Sequence, residues 1–361
     1  MIVQTVFGGI CMSNNKRTIL LTSVIVSSVL LSGCGLLGGE KKEEIDPPQN
    51  VTYTDEGTVT EETTGKEVED NEATEDTVMT ELYLFDKNGY VVPQTLPLPK
   101  TESVAKQALE YLVQEGPVTN ILPNGFAAVL PVDTQISVDI KDNTATVNFS
   151  NEFKNYKEED ELKILQAITF TLTQFDSIEN VKLKLNGHEL TEMPVGGTPI
   201  GKELSRANGI NIDTSEVVDI TNTKGTTVYY LAGEEGSYYY VPVTRRVQNN
   251  DIEGIVAELV QGPSYSSNLL NDFSPDVKLI EKPKIEDGKV TLNFNESIYG
   301  SFEEKIVSEH LLNTLVLSLT DQPGIESVSV LVNGKADLVK EDGKKLTEPV
   351  TRPENVNTGS F

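Results

Sequence analysis

Hydrophobic and polar residues alternate along a segment that occurs twice in the chain. The first copy runs from Ile178 to Gly187 and the second from Ile325 to Gly334, with Ile, Glu, Val, Asn and Gly recurring in place. This alternation is typical of a β-strand with one buried and one solvated face, and the final Asn-Gly favours a turn. Because such a strand needs a sheet and a covering layer to be stable, the repetition predicts two copies of one domain.

The repeat extends on both sides of this strand. The matching blocks are a Gly-Pro at 116–117 and 262–263, an Asn-Phe at 148–149 and 293–294, and a Leu-Thr-Glu at 190–192 and 346–348. The spacing between copies is far longer than the period of about 20–50 residues that is typical of solenoid repeats. It therefore predicts tandem domains, each with its own core.

Each copy is predicted to contain a hairpin, a helix, a second hairpin, a second helix and the closing strand. For the first copy we predict a hairpin of strands 80–85 and 90–92, with Pro93 closing the second strand. A helix capped by Thr101 and ended by a left-handed Gly116 follows. We then predict strands 136–140 and 144–149 and a helix over 158–175 that carries Leu162 and Leu165. For the second we predict strands 228–231 and 238–241, a helix capped by Asn250 with Glu253 and ended by Gly262-Pro263, and a second helix lined by Ile306, Leu312 and Leu315. The predicted fold class is α+β: two tandem copies of a small two-layer domain, with helices on one face of a mainly antiparallel sheet.

The N-terminus has the pattern of an export signal. Lys16 and Arg17 precede an apolar segment, 18–30, that is short for a membrane span, and Leu-Ser-Gly-Cys follows at 31–34. This ending resembles the lipobox of bacterial lipoproteins, which implies cleavage before Cys34 and a diacylglyceryl group on its thiol. The alternatives are an ordinary signal peptide or an N-terminal anchor helix. Met12 is an alternative start to Met1, because residues 1–11 only lengthen the charged region.

Composition divides the rest of the chain. We assign 1–33 to the signal peptide, 34–77 to the lipidated cysteine and an acidic tether, 78–200 and 225–351 to the two domains, 201–224 to a linker, and 352–361 to a loose tail. The tether is rich in Thr, Glu and Asp, without apolar periodicity, so it buries too little surface to fold. It holds the domains away from the membrane or, alternatively, docks on a basic partner.

Charge and cysteine content exclude several functions. The formal net charge of −27 disfavours binding to nucleic acid and a broad contact with anionic lipid, both of which need Lys and Arg. After loss of Cys11 with the signal, Cys34 is the remaining cysteine, so one mature chain has no disulfide, zinc cluster or cysteine nucleophile. We expect no cofactor and no metal.

Candidate catalytic groups do not recur between the copies. His188 and His310 lie at non-equivalent positions, which favours a surface histidine and a packing histidine over a shared site. Acidic pairs at 158–160 and 303–304 could in principle cleave a glycan, but carboxylates at helix starts are also favoured by the helix dipole.

Two surfaces are candidates for interaction. Tyr238, Tyr239 and Tyr240 could stack on sugar rings, although alternate tyrosines of a strand more often pack against neighbours. Leu331 is predicted to point away from the core-facing Val330 and replaces Lys184 of the first copy. A single exposed leucine is ordinary; the alternative is that the first domain or a partner covers Leu331.

Taken together, the tandem order, the shared blocks, the lipobox and the acidic tether resemble the GerM family of sporulation and germination lipoproteins, whose repeated unit is the GerMN domain. The resemblance implies a domain similar to ring-building folds and a non-enzymatic role in endospore formation. In this role the protein is exported and lipid-anchored at the outer forespore membrane, supports the channel proteins that join mother cell and forespore, and contributes to germination. The alternatives are a module that binds cortex peptidoglycan and a hydrolase that modifies it.

Overall fold

The computed structural model describes residues 76–215, 221, 223–247, 251–300, 305–336 and 338–358. The predicted signal, lipobox and tether lie outside these residues. The first repeat contains β1 (Thr77–Asp86), β2 (Val91–Pro99), α1 (Val104–Glu110), β3 (Phe126–Ala127), β4 (Ile136–Lys141), β5 (Thr144–Phe149), α2 (Glu161–Leu172), β6 (Asn180–Leu185) and β7 (His188–Glu189). The second contains β8 (Lys224–Ala232), β9 (Tyr239–Val247), α3 (Ile252–Gln261), β10 (Lys284–Glu286), β11 (Lys289–Phe294), β12 (Ile306–Val307), α4 (Glu309–Thr320), β13 (Ser327–Val332), β14 (Val339–Lys340) and β15 (Val350–Thr351).

The two repeats share most of their strand arrangement. They differ in β3, which pairs with β1 in the first repeat, and in β12 and β14, which form a separate parallel pair in the second. In the first, β2-β1-β3 form one sheet and β4-β5-β6-β7 another; in the second, β8-β9 correspond to the former and β10-β11-β13-β15 to the latter. The larger sheets are antiparallel except at β5–β6 and β11–β13, which are parallel. A parallel pair needs a crossover connection, and α2 and α4 supply it. The α+β class and the tandem repeat are therefore confirmed, but each first hairpin forms a sheet of its own.

The Asn-Gly turns have the predicted backbone. Asn186 and Gly187 both have positive φ, at 48° and 83°, and so do Asn333 and Gly334, at 49° and 74°. On β13, Val328, Val330 and Val332 are buried while the residues between them are half-buried. The predicted alternation of the closing strand is confirmed.

The predicted ends of the first hairpins are wrong. Strand β2 continues through Pro93 to Pro99, and β9 continues through Pro242 to Val247. Proline cannot donate a ladder hydrogen bond, so it is confined to edge strands. Both strands are edge strands of their sheets, and this position is what makes the prolines compatible with long strands.

Three predicted helix caps are also wrong. Helix α1 begins after Ser103 and ends at Glu110, and Thr101 instead accepts a hydrogen bond from the N–H of Ser103. Glu115 takes the left-handed conformation, while Gly116 is extended. A side chain at Gly116 would meet the Val113 carbonyl, so glycine is needed there for the close approach. In the second repeat the cap of α3 is Asp251, whose carboxylate accepts from the N–H of Gly254, while Asn250 lies outside the described residues. Gly262 does end α3 with φ of 82°, as predicted.

The second helices are shorter than predicted. Residues 158–160 form a 3-10 turn before α2, and Ile306 lies in β12 rather than in α4. Leu162 is 47% exposed, whereas Ile164 and Leu165 are buried. Leu165 is therefore on the buried face as predicted, whereas Leu162 at the start of α2 is not.

Each second helix is joined to the hairpin of its own repeat by the same hydrogen bond. The backbone N–H of Tyr83 on β1 donates to the Thr171 hydroxyl of α2 at 3.1 Å. The N–H of Tyr229 on β8 donates to the Ser318 hydroxyl of α4 at 2.9 Å. A short polar side chain on the helix thus supplies the partner that the strand edge lacks.

Candidate functional site at the contact between the repeats

The predicted tyrosine surface forms a contact within the protein. Tyr239 is buried, and its hydroxyl donates to the Asp86 carboxylate of the first repeat at 2.8 Å. Its ring packs edge-on against Phe126, with centroids 5.2 Å apart. Burial, together with the Asp86 carboxylate, raises the pKa of Tyr239. Tyr239 therefore joins the two hairpins.

Tyr238 and Tyr240 lie on either side of His310. The rings of Tyr238 and His310 meet edge-on at 5.1 Å, and the Tyr240 hydroxyl is 3.3 Å from His310 Nδ1. The Asn313 amide donates to the Tyr240 hydroxyl at 2.9 Å. The prediction that His310 packs within the fold is confirmed, and Tyr238, Tyr240 and His310 are all half-buried.

The other predicted site residues are dispersed. His188 is exposed in β7, in the other repeat from His310. Leu331 is half-buried and is paired across the strands with Asn293 of β11. Cys34, Glu303 and Glu304 lie outside the described residues. Within the described ranges, no group of three His, Cys, Asp or Glu side chains is placed to hold a metal ion.

A buried carboxylate that the sequence reasoning missed organises a loop of the first repeat. Glu161 is 1% exposed and accepts hydrogen bonds from the backbone N–H groups of Gly196 at 2.6 Å and Thr198 at 3.0 Å. The Tyr156 hydroxyl donates to it at 2.9 Å. Burial alone raises the pKa of a carboxyl, but these donors prevail and lower the pKa of Glu161 to about 2. A side chain at Gly196 would collide with Glu158 and Glu161, so the glycine is needed for the close approach.

A second buried charge ties the linker to α3. Arg245 is 5% exposed, and its guanidinium lies 2.7 Å from the Glu258 carboxylate and 3.6 Å from that of Asp213. It also donates to the carbonyl of Gly262 at 2.8 Å. Although burial raises the pKa of Asp213, hydrogen bonds from Ser215 and the charge of Arg245 lower it. Removing one member would leave a buried charge unpaired, which is strongly destabilising.

The segments expected to be a linker and a loose tail contain a repeated motif. Arg206, Ile210 and Asn211 in the first segment have the spacing of Arg352, Val356 and Asn357 in the second. We call residues 206–211 the first strap and 352–357 the second strap. Val356 is 3% exposed and Asn357 8%, so the described part of the tail is held in place and the expectation that it is loose is wrong. The Arg-x-x-x-Ile/Val-Asn spacing was the signal in the sequence that could have revealed this.

The two strap arginines lie at one end of the contact between the repeats. Arg206 stacks over the Phe170 ring at 4.8 Å and reaches Asp321, which follows α4, at 3.4 Å. Arg352 donates to the Tyr229 hydroxyl at 3.0 Å. Burial raises the pKa of Asp321, against the opposing effect of both arginines. Half-buried polar side chains of both repeats thus meet at this contact.

A groove of about 330 Å³ opens beside the first strap, and its rim carries the exposed side chains of Leu162 and Ile212. Two of its lining side chains already have partners. The side-chain oxygen of Gln166 accepts from the N–H of Asn211, and the Asn211 amide is bound to strand backbones.

Comparisons with known proteins match this architecture. The family model described as "Germane: Sporulation and spore germination" matches residues 81–191 and 227–337, one match for each repeat. The chain belongs to the Germane family. Each Germane match begins in the first hairpin of its repeat and ends after the closing strand, before the strap.

A relative and a solved structure extend the Germane match. The chain is 61% identical over 353 residues to the spore germination protein GerM of Bacillus subtilis (strain 168), covering 93% of this chain and 96% of that protein. It is similar to the solved tandem GerMN domains of the sporulation protein GerM from Bacillus subtilis, with a TM-score of 0.75 and 64% identity over 79% of this chain and 100% of that one. In the described part of the chain, helices that combine the length and apolarity of a membrane span are not found.

Proposed function

We propose that this protein is a non-enzymatic, lipid-anchored assembly factor of endospore formation, which supports the complex between mother cell and forespore at the outer forespore membrane and later germination. The Germane family match and the similarity to a spore germination protein support the coarser assignment to sporulation and germination. The sequence at 31–34 supports the anchor at Cys34.

The single observation that carries the assembly role is that buried polar groups are bound to partners within the protein. Tyr239 of the second repeat is bound to Asp86 of the first, Glu161 to a loop of its own repeat, and Arg245 to Glu258 of α3. Such groups set the mutual orientation of the elements that they join and do not serve to bind a substrate. A rigid pair of repeats then presents two sets of surface residues in one fixed arrangement.

Peptidoglycan binding is the second candidate, because Tyr238 is half-buried beside His310 at the surface. Aromatic rings at a surface can stack on sugar rings. This candidate uses the anchored chain at the same membrane but gives it a glycan partner.

Two assays on the purified chain separate these functions. In the first, the protein is sedimented with cortex peptidoglycan; in the second, release of soluble glycan from the same material is followed. An assembly factor stays in the supernatant and releases nothing. If the wild-type chain sediments with peptidoglycan and Tyr238→Ala does not, the proposal is replaced by glycan binding. If soluble fragments are released, it is replaced by hydrolysis.

A further inference from the structure

The two straps make the same hydrogen bonds at equivalent places. The N–H of Ile210 donates to the Thr244 hydroxyl at 2.8 Å, and the N–H of Thr244 returns a bond to the Ile210 carbonyl at 2.8 Å. In the second strap, the N–H of Val356 donates to the Thr95 hydroxyl at 3.0 Å, and the N–H of Thr95 returns a bond at 3.1 Å. Each strap follows one repeat and docks on the hairpin of the other.

The strap asparagines repeat this relationship. The Asn211 side chain accepts from the N–H of Val91 on β2 at 2.8 Å, donates to the Val91 carbonyl at 2.7 Å, and donates to the Pro242 carbonyl on β9 at 2.7 Å. The Asn357 side chain accepts from the N–H of Tyr240 on β9 at 2.8 Å. It donates to the Tyr240 carbonyl at 2.9 Å and to the Pro93 carbonyl on β2 at 2.8 Å. Exchanging the roles of β2 and β9 converts one set into the other, which is the pattern of a two-fold axis.

The chemistry of the contact explains why asparagine stands at both positions. The amide offers an acceptor and two donors, and all are used on strand backbones. Both residues have positive φ, 46° for Asn211 and 56° for Asn357, a conformation that asparagine tolerates better than most residues. Aspartate would retain the acceptor but lose both donors, and glycine would retain the backbone but lose the side chain.

An apolar side chain precedes each asparagine and is buried on docking. Ile210 is fully buried, and Val356 packs with the buried Tyr229 and Leu317. Pro353 to Asn355 between the strap arginine and Val356 are exposed or half-buried. The recognised part of the strap is therefore the Ile/Val-Asn pair.

We propose that the hairpin pair β2–β9 carries two pseudo-equivalent binding sites for an Ile/Val-Asn peptide whose asparagine has positive φ, and that the chain's own C-terminal strap is the ligand of the site at Thr95. Backbone hydrogen bonds to strand edges supply the affinity, and the valine and asparagine supply the specificity. The second strap thereby fixes the orientation of the repeats. This inference stands independently of the proposed function.

The test is binding of the strap in trans to the full chain. Val356→Asp places a charge in the apolar site and releases the strap without altering Thr95 or β9. A labelled peptide of residues 351–358 is titrated against this variant and against the wild-type chain, and fluorescence anisotropy is measured. We expect saturable binding to the variant at least 10-fold tighter than to the wild type, whose site is occupied. A peptide carrying Asn357→Asp should bind at least 10-fold more weakly than the native peptide.

Equal binding of both peptides, or no binding to a folded variant, would overturn the proposal. If circular dichroism shows that Val356→Asp unfolds the chain, disulfide formation in Thr95→Cys/Val356→Cys decides the question. We expect rapid formation of a disulfide between positions 95 and 356, detected as a linked pair of peptides. Adding Asn357→Ala to this variant should slow disulfide formation at least 10-fold. The control pair Thr95→Cys/Asn355→Cys should also form its disulfide at least 10-fold more slowly. Equal rates in the three proteins would show that the asparagine does not hold the strap.

Discussion

The Tyr239 hydroxyl of the second repeat donates to the Asp86 carboxylate of the first at 2.8 Å. The same carboxylate accepts from the backbone N–H groups of Asn88 at 2.9 Å and Tyr90 at 2.7 Å, and so closes the first hairpin turn. One acidic side chain therefore forms a turn and joins two repeats.

The first prediction follows from this contact. Tyr239→Phe keeps the ring against Phe126 but removes a hydrogen bond to a charged group, which contributes about 1.5–3 kcal/mol. We expect the free energy of unfolding in urea to fall by about that amount. Tyr238→Phe is the matched control and should change it by less than about 0.5 kcal/mol, since its ring packs on His310. Equal losses in the two variants would argue against the link between the repeats.

Glu161 gives the second prediction, a pH dependence of stability. Its pKa is about 2 in the folded chain, against an ordinary value of 4.5 for a glutamate carboxyl. The folded pKa is depressed, so the stabilisation is present above about pH 4.5 and is lost as the pH falls toward 2. A shift of this size corresponds to about 3 kcal/mol.

The measurement compares Glu161→Gln with the wild type by urea unfolding at several pH values. The variant should be less stable at pH 7 by about 3 kcal/mol, and the difference should shrink as the pH falls below 4.5. Glu159→Gln is the control, because Glu159 is exposed beside Lys157 and exposed pairs contribute little. A difference between Glu161→Gln and wild type that is constant with pH contradicts the role assigned to the carboxylate.

The third prediction concerns the anchor. Cys34→Ala removes the thiol that the lipobox resemblance assigns to lipidation, and the repeats lie far along the chain from it. We expect the variant to fold and to leave the membrane fraction. Membrane fractionation with a salt wash checks this, and a variant that stays with the membrane after the wash rules out the lipid anchor.

The histidines give the fourth prediction. His188 is exposed and His310 packs beside two tyrosines, in different repeats. Replacing both, with His188→Asn and His310→Gln, should leave spore yield unchanged as long as the chain folds. Spore counts and protein levels are measured together; a large loss of spores at a normal protein level restores the hypothesis of catalysis or metal binding.

Regular alternation and turn chemistry were enough to predict most of the fold. Asp142 and Asn143 between β4 and β5 have the positive φ values, 50° and 57°, that a tight hairpin turn needs. The prediction failed where the position of a strand in its sheet determines where the strand ends. Pro93 does not end β2, because β2 is an edge strand and an edge strand accommodates proline. The predicted start of α1 is wrong for a related reason. Thr101 is a residue type that often caps helices, but Ser103 is the residue that precedes α1.

The candidate site was harder to predict than the fold. The sequence leaves open whether Tyr239 belongs to an interaction surface or packs against neighbours, and it does not report the contact with Asp86 of the other repeat. Glu161 belongs to an acidic stretch that is ordinary at a helix start, and its loop donors lie far along the chain. The two straps lack both strand alternation and a helical period, and such segments are typical of linkers and tails. Their recurring Arg and Asn are the feature that distinguishes them.

The central claim is that the two repeats work by presenting surfaces to other proteins. Leu331 on β13 and Lys184 on β6 stand at equivalent positions with different chemistry. The most direct measurement is site-specific photocrosslinking in sporulating cells, with the probe at Leu331 in one strain and at Lys184 in another. The account predicts protein adducts that differ between the two positions. In a separate Leu331→Lys strain without the probe, general chemical crosslinking should no longer capture the protein found at position 331, and spore numbers should fall. Normal spore numbers with no protein adduct at either position would contradict it.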